Sequence, residues 1–121
     1  MLIVTNSFQN TEMKALKKAI TLLDIIKIAK KVQNGLGTKL LSNEKGYYIK
    51  IRYYTDTLAL RSIFLFQNQI GDVVPILLRT KKDKIGYNMS FKNKSFCKEL
   101  EKNLIQIEQD IINEKYEEYE I

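Results

Sequence analysis

The feature that most narrows the fold is Val73-Val74-Pro75-Ile76-Leu77-Leu78, an apolar run that passes within three residues into a basic cluster of Arg79, Lys81, Lys82 and Lys84 and then breaks at Gly86-Tyr87-Asn88. A short run rich in Val, Ile and Leu reads as an inner strand of a sheet. Pro75 cannot donate to a strand ladder, so the early part of this strand is expected at an edge or in a bulge. The basic residues at its exit are held at one place on a rigid element. That strand end is therefore the expected binding site.

Two more strands precede it. Residues 46–54 alternate with period two, which sets Tyr47, Ile49, Ile51 and Tyr53 against a helical layer and leaves Tyr48, Lys50, Arg52 and Tyr54 on the other face. Aromatics interleaved with cations suit phosphates and stacked bases. The same pattern also fits a half-exposed antiparallel strand with ordinary polar residues, and the alternation does not choose between the two. Residues 58–67 are apolar on both faces apart from Arg61, and a cation in a central strand needs a partner or a function. With short turns at 55–57 and 68–72, the three strands predict an antiparallel meander.

Helices flank this sheet. Residues 1–4 read as a short strand, and Met13, Leu16, Ala19 and Ile20 then fall on one helical face. Thr21 and Asp24 match a capping box ahead of a second stripe, Leu22, Ile25, Ile26, Ala29 and Val32, which Asn34-Gly35 closes. One long helix fits as well, but the cap favours a hairpin of two. The lysines at 14, 17, 18, 27, 30 and 31 are expected on its solvated face. Phe96, Leu100, Leu104, Ile107 and Ile111 predict a terminal helix over residues 95–113, with Ser95 as its cap. The expected fold is thus α+β: an N-terminal strand and helical hairpin on an antiparallel meander, with a C-terminal helix. Residues 1–113 form one domain, and 114–121 an acidic tail, most simply frayed, or else folded back over a basic groove.

The charge is uneven. The chain carries +6, yet residues 114–121 hold four acids and one lysine, so the preceding residues carry +9. A basic body points to a polyanionic partner, with nucleic acid first. With no histidine and a single cysteine, Cys97, the chain lacks the usual general base, any intramolecular disulfide and the common zinc ligands. Cys97 reads as a packing residue. No Gly-rich phosphate loop opens a helix, so no nucleotide cofactor and no metal is expected. Neither a signal peptide nor an apolar run of membrane-spanning length is visible, which points to the cytoplasm.

The convergence of Lys50 and Arg52, Arg61, and Arg79, Lys81, Lys82 and Lys84 on one sheet carries a resemblance. Gly46-Tyr47-Tyr48-Ile49-Lys50-Ile51-Arg52, then Leu60-Arg61-Ser62-Ile63-Phe64-Leu65-Phe66, then residues 81–90 ahead of a terminal helix, resemble the RelE/ParE superfamily of toxins from bacterial toxin–antitoxin modules. The likeness spans about residues 1–112 and its motifs are short. It implies a microbial-ribonuclease-like fold that cleaves messenger RNA, usually on the ribosome, and is silenced by a cognate antitoxin protein. On that resemblance Arg61, Arg79, Tyr87 and Lys82 are the catalytic candidates, and Lys50, Arg52, Lys81, Lys84, Tyr48 and Tyr54 bind RNA.

Cleavage by a neighbouring 2′-hydroxyl needs a proton acceptor, a donor to the leaving 5′-oxygen and charge on the phosphorane oxygens. Arginines supply the last through bidentate hydrogen bonds. Tyr87 or a lysine is left to move protons, and ordinary pKa values of about 10 suit that poorly, so positioning has to contribute most. Phe64 stands where relatives often carry a tyrosine, Leu60 where an aromatic often precedes the arginine, and residues 40–45 are a loose substitute for the family's loop. Because other members of the superfamily inhibit gyrase without cutting RNA, two further readings stay open: a non-catalytic, gyrase-directed toxin and a basic nucleic-acid-binding module. In the blandest reading the basic strand end merely docks an acidic partner.

Overall fold

The computed structural model describes the chain except residues 43–45 and 68–69 and the side chain of residue 18. It is α+β, with one six-stranded mixed sheet between helices. Along the chain come β1 (Leu2–Thr5), α1 (Asn6–Phe8) running on as a π-helical turn (Gln9–Met13), a 3-10 turn (Lys17–Ala19) and α2 (Leu22–Gln33). There follow β2 (Thr38–Ser42), β3 (Tyr47–Tyr54), β4 (Ala59–Gln67), β5 (Asp72–Thr80), a 3-10 turn (Gly86–Asn88), α3 (Lys94–Ile112) and β6 (Tyr116–Tyr119). The strand order is β2-β3-β4-β5-β1-β6; β1 lies parallel to β5, and the other pairings are antiparallel.

The period-two reading of β3 holds. Ile49 and Ile51 join Ile25, Ile28, Ala29 and Val32 of α2 in one core layer, while Tyr48 joins Phe96, Leu100 and Ile107 of α3 in the other. The sheet is therefore covered on both faces, which is why the middles of β4 (residues 63–66) and β5 (residues 73–78) are apolar on both faces. Thr21 caps α2 as its spacing predicts: its backbone N–H donates to Asp24 Oδ2 at 2.9 Å, and the Asp24 N–H donates back to Thr21 Oγ1 at 3.4 Å.

Pro75 marks a bulge within an interior strand, since β5 pairs on both sides. Phe64 faces Pro75 and Ile63 faces Leu77, so Ile76 is the extra residue. One extra residue reverses the alternation beyond it. Ile76 and Leu77 consequently both pack in the α3 layer, and every later side chain of β5 changes face relative to an unbroken strand.

Four expectations are corrected. Of residues 40–45, read as loop, 40–42 belong to the edge strand β2 and 43–45 lie outside the described residues; the strand forms because Gly37 (φ +95°) turns the chain back and sets Thr38 against Lys50. The first helical segment is a patchwork of short α, π and 3-10 pieces that stops at extended Ile20. Asn93, not Ser95, caps α3, accepting the Ser95 N–H at 3.1 Å. The acidic end is neither frayed nor laid over a basic groove: residues 116–119 pair with β1 in register Leu2 to Tyr119 through Thr5 to Tyr116.

Candidate functional site: an arginine row and a basic strand end

Arg52 lies opposite Arg61 in the β3·β4 register, and Arg61 opposite Arg79 in β4·β5. Paired residues share a face, so three guanidinium groups from successive strands line up on the α3 side, about 5 Å apart at the backbone. Without the Pro75 bulge Arg79 would point to the opposite face. Like charges in such a row repel, and the fold resolves the conflict differently at each position.

Arg79 is neutralised. Its Nε donates to Glu12 Oε1 at 2.9 Å and its Nη2 to Glu12 Oε2 at 3.0 Å, a bidentate pair. Nη2 also donates to Glu99 at 2.9 Å, and Asp83 lies 3.6 Å from Nη1. Burial works against the guanidinium charge, but these carboxylates outweigh it and raise its pKa above the ordinary arginine value. Glu12, only 3% exposed, also serves the backbone, since its Oε1 accepts the Leu78 N–H at 2.9 Å. Strand β1 stops at Thr5, so the end of β5 has no strand on its β1 side, and the π-helical turn brings Glu12 to that edge. Glu99 is tied in turn to Lys102 at 2.9 Å and is held below the usual carboxylate range, by Lys102 first and, against the effect of burial, by Arg79. Arg79 thus braces the N-terminal segment, β5 and α3, and the expectation that it binds phosphate gives way to a structural role.

Arg61 is partly free. Its Nη1 donates to the carbonyls of Gly86 and Tyr87 at 3.1 and 3.0 Å, and no carboxylate among the described residues pairs with it. The Nε–Nη2 edge of its fork is left for a ligand. The two bonds pin the turn after β5, which is tight: a Cβ on Gly86 would stand 2.0 Å from the Thr80 carbonyl oxygen. Asp83 Oδ1 fixes the same loop, accepting the Ile85 N–H at 2.8 Å and the Gly86 N–H at 3.3 Å. Lys81, Lys82 and Lys84 stand on this rigid loop, all three at its surface, and Tyr87 presents its ring, 74% exposed, one residue beyond Gly86.

On β3, Arg52 is exposed, Lys50 half-buried, and Tyr54 64% exposed. Tyr48 is different. It is 6% exposed, with its ring 6.3 Å from that of Phe91, and burial, with the charge of Glu108, pushes its hydroxyl pKa up. A base cannot stack on it, so the RNA-binding expectation for Tyr48 is withdrawn. Alternation placed it on the correct face but not beneath the cover that α3 and residue 91 supply. Sequence reading also missed Glu12 and Glu99, which lie 67 and 20 residues from Arg79. One faint signal existed, since Glu12 is the only acid among the first 23 residues.

No group of His, Cys, Asp and Glu suited to a metal occurs among the described residues. No described helix is long and apolar enough to cross a membrane. No family model, curated protein or solved structure matches the chain.

Proposed function

We propose that this chain is an RNA-directed toxin of the RelE/ParE type, which engages messenger RNA at the exposed strand end and cleaves it when a larger assembly, the ribosome, holds the substrate. The observation that carries the reading is the pair Arg52 and Arg61, adjacent across two strands, next to Lys81 and without a carboxylate partner among the described residues. Two unneutralised guanidinium groups side by side suit a phosphate backbone.

In this reading the free edge of Arg61 takes the scissile phosphate and stabilises the phosphorane without help from Arg79. Arg52, Lys50, Lys81 and Lys84 hold neighbouring phosphates, and Tyr54 offers a stacking surface. Tyr87, whose backbone carbonyl Arg61 holds, and Lys82 are the groups assigned to exchange protons with the 2′- and 5′-oxygens. A cognate antitoxin would silence the protein by covering this basic face with acidic residues.

The test is inducible expression with growth and messenger RNA ends followed together. Growth arrest with new codon-phased ends, lost in Arg61→Ala but kept in Lys14→Ala, is the expected result. No arrest in any host overturns the toxin reading. A second reading has its own support: with Arg79 locked by Glu12 and Glu99, the site holds fewer free cations for catalysis than the sequence suggested. It makes the chain a non-catalytic toxin directed at gyrase, or a basic nucleic-acid-binding module. Arrest with intact RNA and broken DNA would select the gyrase form.

A further inference from the structure

Three shallow depressions run along one margin of the sheet and share residues. The first lies between the start of β4 and the end of β5 and includes Lys81 and Lys82; the second includes Lys81, Arg61 and Arg52; the third includes Arg52, Lys50 and Lys31. Lys81 joins the first to the second, and Arg52 joins the second to the third. Six cations therefore follow one path across β5, β4 and β3 and onto the end of α2. None of the described residues lining it is acidic.

The far end is the unexpected part, because Lys31 reads from the sequence as solvated helix surface. Two features bring it to the path. Strand β2 pairs with β3 only as far as Lys50, so the margin of β3 at Ile51 and Arg52 has no β2 residue beside it. The turn out of α2 is pressed onto β3 so closely that a Cβ on Gly37 would meet Ile49 Cγ2 at 2.7 Å and the Lys50 oxygen at 2.9 Å. The depression between them measures about 470 Å³. The Lys31 ammonium sits 5.4 Å from the centre of the Tyr53 ring, whose hydroxyl donates to Asp24 Oδ1 at 3.0 Å. The ring places the ammonium without occupying its N–H donors. Asp24, which the Tyr53 hydroxyl ties to this assembly, is engaged by Thr21 and Tyr53.

Crossing three strands at about 4.8 Å each and continuing to the helix spans on the order of 15 Å. That suits the shorter single-strand sites, roughly four nucleotides long. A shallow path with the exposed Tyr54 ring at its middle favours an extended single strand with unstacked bases over a rigid duplex.

We infer that the path is a binding groove for about four nucleotides of single-stranded nucleic acid, crossing the strands from Lys82 to Lys31, with Lys31 as its terminal phosphate contact. This rests on the preceding reading that the face takes nucleic acid. The test is fluorescence anisotropy of the full chain with labelled single-stranded RNA and DNA octamers and a duplex control, from about 50 to about 300 mM salt. Expected are tighter binding of the single strands, an affinity for them lowered at least about threefold by Lys31→Ala, and a salt slope shallower by about 0.7, the share of one phosphate. Lys14→Ala, at a lysine that lines none of the three depressions, leaves both unchanged. Octamer binding with an unaltered slope in Lys31→Ala would end the groove at Arg52 and overturn the inference while sparing the RNA reading. Binding of neither octamer would overturn both. Equal or tighter binding of the duplex would overturn the single-strand assignment.

Discussion

Arg79→Met separates a bracing arginine from a phosphate ligand. The substitution keeps the apolar stem and removes the charge that Glu12, Glu99 and Asp83 share. Glu99 and Asp83 retain other partners or solvent, but Glu12 is buried and would be left as a carboxylate with only the Leu78 N–H. Removing one member of a buried pair costs about 3–5 kcal/mol, most of it from the stranded charge. For a chain of this size about 4 °C of Tm corresponds to 1 kcal/mol, so the melting point should fall by about 12–20 °C. Glu12→Gln added to Arg79→Met removes the stranded charge and keeps an oxygen for Leu78, so the double variant should regain at least about 2 kcal/mol over Arg79→Met alone. The assay is urea unfolding of wild type, both single variants and the double variant as a cycle, with octamer binding measured on whatever remains folded. A loss of under about 1 kcal/mol together with abolished octamer binding would refute the reasoning and return Arg79 to the phosphate site.

Three further outcomes follow from other parts of the fold. Hydrogen bonds to Thr21 and Tyr53 hold Asp24 below its usual value of 3.8 against the opposing effect of burial, as the Lys102 and Arg79 contacts do for Glu99 below 4.5. Depressed carboxylates contribute stability above the unfolded pKa and lose it as pH falls through the folded one, so urea midpoints should hold above about pH 5 and drop below about pH 4.5, less steeply in Glu99→Gln. Glu114 follows α3 with φ +57°, a left-handed position that favours glycine, so Glu114→Gly should raise Tm by about 4 °C, or roughly 1 kcal/mol, in a thermal melt. Gly86→Ala forces a Cβ against the Thr80 oxygen and should cost about 1–3 kcal/mol, with weaker octamer binding as the loop carrying Lys84 and Tyr87 shifts.

Much of the architecture was legible in local pattern. The alternation of residues 47–54 assigned the faces of β3, the capping box at Thr21 and Asp24 began α2, and the stripe from Phe96 to Ile111 gave α3. These signals work because a strand repeats every two residues and a helix every 3.6, so burial writes itself into neighbouring positions. The cluster of lysines at 81, 82 and 84 was equally visible, as was the pairing of β4 with its two neighbours through short turns.

What the chain alone did not carry was everything that depends on partners far apart in sequence. Pro75 announced an edge or a bulge; only the register showed a bulge inside an interior strand, and that one inserted residue turns Arg79 toward Arg61. Glu12 and Arg79 meet because β1 ends early and leaves a bare N–H at Leu78, a coincidence no local period records. Tyr48 and Tyr54 are equivalent in the alternation, yet one lies under cover and the other stands open. Lys31 looks like any solvated lysine until the Gly37 turn presses α2 against β3. Sequence determined which residues are charged and which faces are apolar, since those follow from composition and period. Tertiary structure decided which charges are cancelled and which stay free, because that depends on distances across the fold.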